Sequence, residues 1–186
     1  MNKTLIIIGV ITLIIGGFIW STYNKLITAN ESIDNQWAQV ETQYQRRFDL
    51  IPNLVESVKG VMAQEEKIFG DLAEARTNYS GANNSNQKAE AATQIEGALS
   101  KLLVIMENYP ELKSSENVQT LMAQLEGSEN RVSVERKRYN DAVKNFNILI
   151  KRFPSNLIAN QMGFSSKTYF EAETGSENAP KVDLTK

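Results

Sequence analysis

Asp49, Lys59, Glu65 and Glu129 are the side chains available for general acid–base chemistry. Such work needs a pKa shifted inside a concave site. Spacing along a chain supplies no such site, so no catalytic residue is assigned. The rest of the usual repertoire is missing. The 186 residues include no histidine and no cysteine. That excludes Ser-His-Asp and Cys-His arrangements, His-ligated zinc, the Glu-x-x-His pairs of di-iron bundles, disulfides and lipoprotein-type acylation. No metal-ligating cluster, cofactor motif or glycine-rich phosphate loop is present, so no cofactor is expected.

Charge removes another class. The chain has 20 basic and 22 acidic side chains. Without Lys3 and Lys25 the balance from residue 26 onward is 18 against 22, or −4. Phosphate neutralisation drives nucleic-acid affinity, so a mildly acidic body is a poor nucleic-acid partner. The run Arg136–Arg138 reads as a solvated helix face.

The elements that must position these groups are helices. Leu26, Ile33, Trp37, Val40, Tyr44 and Ile51 form one apolar stripe. Leu54, Val58, Val61, Ile68 and Leu72 form a second, and Ile95, Leu99, Leu102 and Met106 a third. Val118, Leu121, Leu125, Val132, Tyr139, Val143 and Ile150 form a fourth. Ser80–Lys88 reads as a loop, Pro110 ends the third helix, and Ser114 or Ser115 caps the fourth. Alternation of period two is not sustained, so the class is all-α.

The stretch RRFDLIPNLVESVKG (46–60) sets the architecture. An unbroken helix from Leu26 to Tyr79 would be roughly 80 Å long, against about 36 Å for the third. A break near Pro52 equalises the lengths. Asp49 can then cap a new helix, and Pro52 sits in the first turn, where its missing N–H costs nothing. The expectation is an antiparallel four-helix bundle turning at Pro52; a kinked continuous helix is the competing reading. Arg46 faces outward. Arg47 is expected over the bundle end, bonded to helix C-terminal carbonyls or Asp49, with an anion or acidic-peptide site as the sharper alternative. Asn53, Asn108 and Tyr109 are expected at the same membrane-distal end.

From those starts, Glu65 and Glu129 lie at similar heights, roughly 20 and 22 Å, each on its apolar stripe. Sharing a dry site, one would hold a proton or recruit a cation. The favoured alternative turns each to the edge of its stripe, toward water or an arginine such as Arg131.

Residues 4–24 carry no charge and are long enough, at roughly 31 Å, to cross a bilayer. Lys3 and Lys25 bracket them, and Trp20 and Tyr23 fall where interfacial aromatics belong. Bulky residues occupy the place of a signal-peptidase site, so a retained anchor is expected over 1–25. The flanking lysines leave its orientation tied. The bundle domain is assigned to 26–172. It closes with a short helix ended by Gly163 and an extended segment whose Phe164, Tyr169 and Phe170 fold back. Residues 173–186 read as a disordered tail.

RRFDLIPNLVESVKG, ENYPELKSSENV, SENRVSVERKRYNDAVKNFN, FPSNLIA and YFEA, in that order, resemble the bacterial LemA family. The similarity covers nearly everything from Tyr23 to about Ala172; the loop around Gly81–Lys88 is the one departure. The resemblance implies an N-terminal transmembrane helix and a helical body, with the short N-terminus outside the cell and the body in the cytoplasm. It implies no activity. The function expected is non-enzymatic: a tethered bundle presenting a surface to another membrane or envelope protein, or to a second copy of itself. Ligand or lipid sensing within the bundle, and an enzyme using the carboxylates or lysine, are the alternatives.

Overall fold

The computed structural model describes residues 3–170, and among these every regular element is a helix. Helix α1 runs unbroken over Lys3–Lys59. Then come α2 (Glu66–Gly81), α3 (Ser85–Met106), the single turn α4 (Pro110–Lys113), α5 (Glu116–Lys151) and the short α6 (Ser155–Gln161). The expected tail, 173–186, lies outside the described residues.

Pro52 does not turn the chain. It stands inside α1, and the chain turns later, between Gly60 and Glu65. A proline within a helix costs roughly 3 kcal/mol. Ile51, Leu54 and Val58 around it are all buried, and each apolar side chain held in a core is worth about 1.5–3 kcal/mol. A corner at Pro52 would take them off the stripe, so packing outweighs the local penalty. Asp49 is therefore mid-helix and exposed, and it accepts a hydrogen bond from Gln45 Nε2 at 2.9 Å instead of capping anything.

The stripe that holds α1 straight repeats in steps of three and four: Leu26, Ala29, Ile33, Trp37, Val40, Tyr44, Arg47, Ile51, Leu54, Val58. On α5 the matching series is Val118, Met122, Leu125, Glu129, Val132, Arg136, Tyr139, Val143, Phe146, Ile150. These two helices form the most extensive pairing, and α2 with α3 forms the next. Side chains from both pairs join one buried cluster. Trp37 meets Tyr139 and Arg47 meets Glu129, so α1 and α5 run antiparallel.

The α2–α3 connection is tighter than expected. Asn84 Oδ1 accepts the Gln87 backbone N–H, and Gln87 Oε1 accepts that of Asn83, both at 2.9 Å. This reciprocal capping starts α3 within the polar run read as loop. Pro110 follows the third helix as expected, and Ser115 is the N-cap residue of α5, although its side chain makes no capping bond. After α6, Gly163 takes φ 77°, the left-handed conformation that glycine adopts without penalty.

One helix thus serves two environments. From Leu5 to Trp20 every large apolar side chain of α1 is exposed. That portion is long and apolar enough to cross a membrane.

Candidate functional site

Charged residues interrupt the apolar stripes of α1 and α5 at matching heights. Arg47, on α1, is buried (8 % exposed). It pairs with Glu129 of α5, and its Nη1 lies 3.4 Å from Glu96 Oε1 of α3. Arg136, on α5, donates from Nη2 to both Glu96 oxygens at 3.0 Å. Its Nε also donates to the Tyr44 hydroxyl at 2.7 Å. Two guanidinium groups and two carboxylates therefore balance to zero charge between three helices. Tyr79 of α2 closes the cluster with its ring edge against Phe48, centroids 4.7 Å apart.

The electrostatics follow from burial. Burial lowers the Arg47 pKa, with Glu96 opposing it. Burial acts in the same sense on Arg136 but is outweighed by Tyr44 and Glu96, so its pKa is raised. Burial pushes the Tyr44 hydroxyl up to about 12, against the lowering effect of Arg136. Tyr79 is also raised, by burial first and then by Glu41 and Tyr44. At neutral pH both phenols are protonated and both guanidinium groups charged. Removing one partner from such a buried pair typically costs 3–5 kcal/mol, whereas an apolar replacement of the whole set can be neutral. The arrangement suits fixing helix register better than proton transfer.

The residues singled out from sequence scatter. Arg47 is neither over the bundle end nor bonded to Asp49; it lies twelve residues before Lys59, roughly 18 Å from the turn. Arg46 is exposed, as are Asn53 and Asn108. Tyr109 sits at the turned end, its hydroxyl donating to Glu65 Oε1 at 3.4 Å. Glu65 is the N-cap residue of α2, not 13 residues into a helix, because the turn comes after Pro52. It and Glu129 therefore share no site: one meets Tyr109 and the other Arg47. Arg136 corrects the reading of Arg136–Arg138 as a solvated face; only Lys137 and Arg138 are exposed. Lys59 is exposed at the end of α1. Among the described residues, no three His, Cys, Asp or Glu side chains group to hold a metal ion.

A second polar arrangement ties down the segment after α6. Asn147 Nδ2 donates to the Lys167 carbonyl, and Asn147 Oδ1 accepts the Lys167 N–H, both at 2.9 Å. Asn140 repeats the pattern on Phe170, at 3.0 and 2.9 Å. The spacing explains the match. Seven helical residues rise about 10.5 Å, and three extended residues cover about 10 Å. Each amide replaces a strand neighbour for an otherwise unpaired backbone. The strap runs back along α5 and seats Phe170 on Trp37, stacked at 5.5 Å, and edge-on to Tyr139 at 5.2 Å. Phe164 meets Phe146 and Tyr23. Phe164 and Phe170 fold back as expected, but Tyr169 is exposed.

Sequence reasoning missed Glu96, which flanks its stripe, and the two asparagines. Their only signals were the seven-residue interval between Asn140 and Asn147 and the charged interruptions at Glu129 and Arg136.

A sequence model of the LemA family matches residues 36–184. Magnetosome protein MamQ 2 of Paramagnetospirillum magneticum is 25% identical over 181 residues, covering 83% of this chain and 66% of that protein. Magnetosome protein MamQ of Magnetospirillum gryphiswaldense is 23% identical with the same coverage. Protein LemA of Metamycoplasma hominis is 21% identical over 150 residues, covering 80% of this chain and 68% of that protein. The chain thus spans slightly less than two thirds of the MamQ proteins' length.

Proposed function

The chain belongs to the LemA family, and we propose that it is a single-pass membrane protein whose helical body presents an interaction surface without catalysing a reaction. In this reading residues 1–25 are the anchor. The body, from residue 26, acts as an antiparallel four-helix bundle facing another membrane or envelope protein. Its cytoplasmic placement rests on the family resemblance alone.

The observation that carries the reading is the continuity of α1. The apolar portion enters the body with no linker, and the same helix supplies one side of the core. A body built this way is held at a fixed distance and angle from the bilayer, which suits display to a partner in the same membrane. The polar groups support the same view. The most buried charges are engaged with one another, and Tyr44 is held neutral at pH 7. Away from the α1–α5 seam, α2 and α3 form a groove of about 490 Å³ beside Ile68, Lys101 and Val104. Val104 is 65 % exposed there, and the groove is the face offered to the partner.

The test is chemical cross-linking in intact membranes followed by detergent purification of the full chain. A stoichiometric membrane or envelope partner, lost when Val104→Glu is introduced, supports the proposal. Recovery of the chain alone under several growth conditions counts against it.

A further inference from the structure

We propose that the elbow joining α5 to α6, residues 151–157, is a second contact with the bilayer, lying in the headgroup interface beside the spanning part of α1. The proposal rests on the reading that residues 4–24 cross the membrane.

Register places the elbow there. Ten residues separate Arg47 from Trp37 on α1, and ten separate their partners Glu129 and Tyr139 on α5. Continued for fourteen more residues, the same antiparallel register sets Phe153 level with Tyr23. That is the last turn of the uncharged run, just before Lys25. Contacts agree: α6 packs on both α1 and α5, and Phe164 behind it meets Tyr23. Thr22 and Leu26 are buried at this level.

What the elbow turns outward is apolar. Phe153 is 75 % exposed and Leu157 61 %. Met162, Ile148 and Ile27, also at this end, are exposed as well. Elsewhere in the body, among the described residues, the exposed large apolar side chains are single and far apart: Val61, Val104, Val134 and Tyr169. Single ones are ordinary, but a group at one level marks an interaction surface.

Charge selects the occupant. Residues 142–170 contain no acidic side chain, although acidic residues outnumber basic ones in the whole chain. The same stretch carries Lys144, Lys151, Arg152 and Lys167, all exposed. On α1 the first acid is Glu31, beyond Lys25. Exposed apolar side chains flanked only by cations, at the depth where a span leaves the hydrocarbon, match the boundary of an anionic leaflet. There apolar groups enter the acyl region while lysine and arginine meet phosphate. The α1–α5 pair would then stand on two supports, the span and the elbow, which fixes its tilt.

The absence of cysteine makes a clean test available. Single nitroxide labels are placed through Phe153→Cys, Leu157→Cys, Ile11→Cys and Val134→Cys in the full chain, reconstituted into phosphatidylglycerol–phosphatidylcholine vesicles. Accessibility to oxygen is compared with accessibility to a water-soluble nickel complex. The expected result is an oxygen-to-nickel ratio at 153 and 157 severalfold above that at 134 and intermediate between it and the mid-span value at 11. It should fall toward the value at 134 in the background of Lys151→Gln with Arg152→Gln. Labels at 153 and 157 as aqueous as 134, with 11 still in lipid, would overturn the elbow contact alone. An aqueous label at 11 would overturn the spanning reading and this proposal with it. Spin–spin broadening at 153 would identify a second copy as the occupant and likewise overturn it.

Discussion

Residues 5–20 and 26–58 of α1 belong to one helix and follow opposite rules. In the first portion large apolar side chains stand out on all sides; in the second they keep to one stripe and polar residues fill the rest. Backbone geometry is common to both, so the difference lies in what surrounds them. A helix apolar all round needs an apolar solvent, and a helix apolar on one face needs a partner. The uncharged run that contains the first portion, residues 4–24, is long and apolar enough to cross a membrane, and the second portion has α5. Only the second can afford Arg47, because Glu96 and Glu129 meet it there.

The sharpest way to break the comparison is to make one substitution in both portions. Val40→Lys buries an unpaired ammonium at a fully buried position and is expected to unfold the body, a loss of more than about 4 kcal/mol. Ile11→Lys places the same group on the exposed apolar portion. It is expected to leave thermal unfolding of the body unchanged while weakening insertion by about 2.5–3.5 kcal/mol. Circular dichroism in detergent and membrane fractionation read the two outcomes. Equal effects of both on the melting temperature would erase the distinction.

Within the second portion, the charged cluster ranks next. Glu96→Ala leaves Arg47 and Arg136 short of a shared acceptor and should cost about 3–5 kcal/mol in denaturant unfolding. A loss below about 1 kcal/mol would mean that the pairs are ordinary surface ones.

Tyr44 adds a pH dependence whose sign is fixed. Its folded pKa, about 12, lies above the usual tyrosine value of 10.0. The folded state therefore holds the proton more tightly. The associated stability, on the order of 2–3 kcal/mol, is fully present below pH 10 and is lost as pH rises toward 12. The alkaline decline of Tyr44→Phe should be correspondingly shallower than that of the parent between those values. Parallel declines would show that the phenol is not held as described.

Much of this was legible in the sequence, for identifiable reasons. The stripes are nearly the buried list: Leu26, Ile33, Val40, Tyr44, Leu99, Leu102, Val132 and Val143 are all core residues. Period and burial have one cause, so one reads out the other. Pro52 misled because its penalty is local, while the seam opposing it is spread over several turns and two helices. Arg136 misled because a charge run hides which member faces inward; the three-and-four stepping of α5 passes through it and through neither neighbour. Glu65 was misplaced by the same turn that was misplaced at Pro52. The asparagine clamps left only the Asn140–Asn147 interval as a trace, since their partners are backbone atoms with no sequence signature.

The smallest expected effect belongs to Asp49. Exposed at mid-helix and bonded, among the described residues, to Gln45, it should tolerate alanine within about 0.5 kcal/mol in thermal unfolding. A loss near 1 kcal/mol, the usual worth of a helix cap, would revive a turn at Pro52.

In the proposed reading the first portion of α1 lies in a bilayer and the second does not. Alkaline carbonate extraction of membranes, run on the full chain and on a form lacking residues 1–25, tests it most directly. The account predicts that the full chain stays with the membrane pellet and that the shortened form appears in the soluble fraction as a folded helical protein. Release of the full chain by carbonate would contradict it.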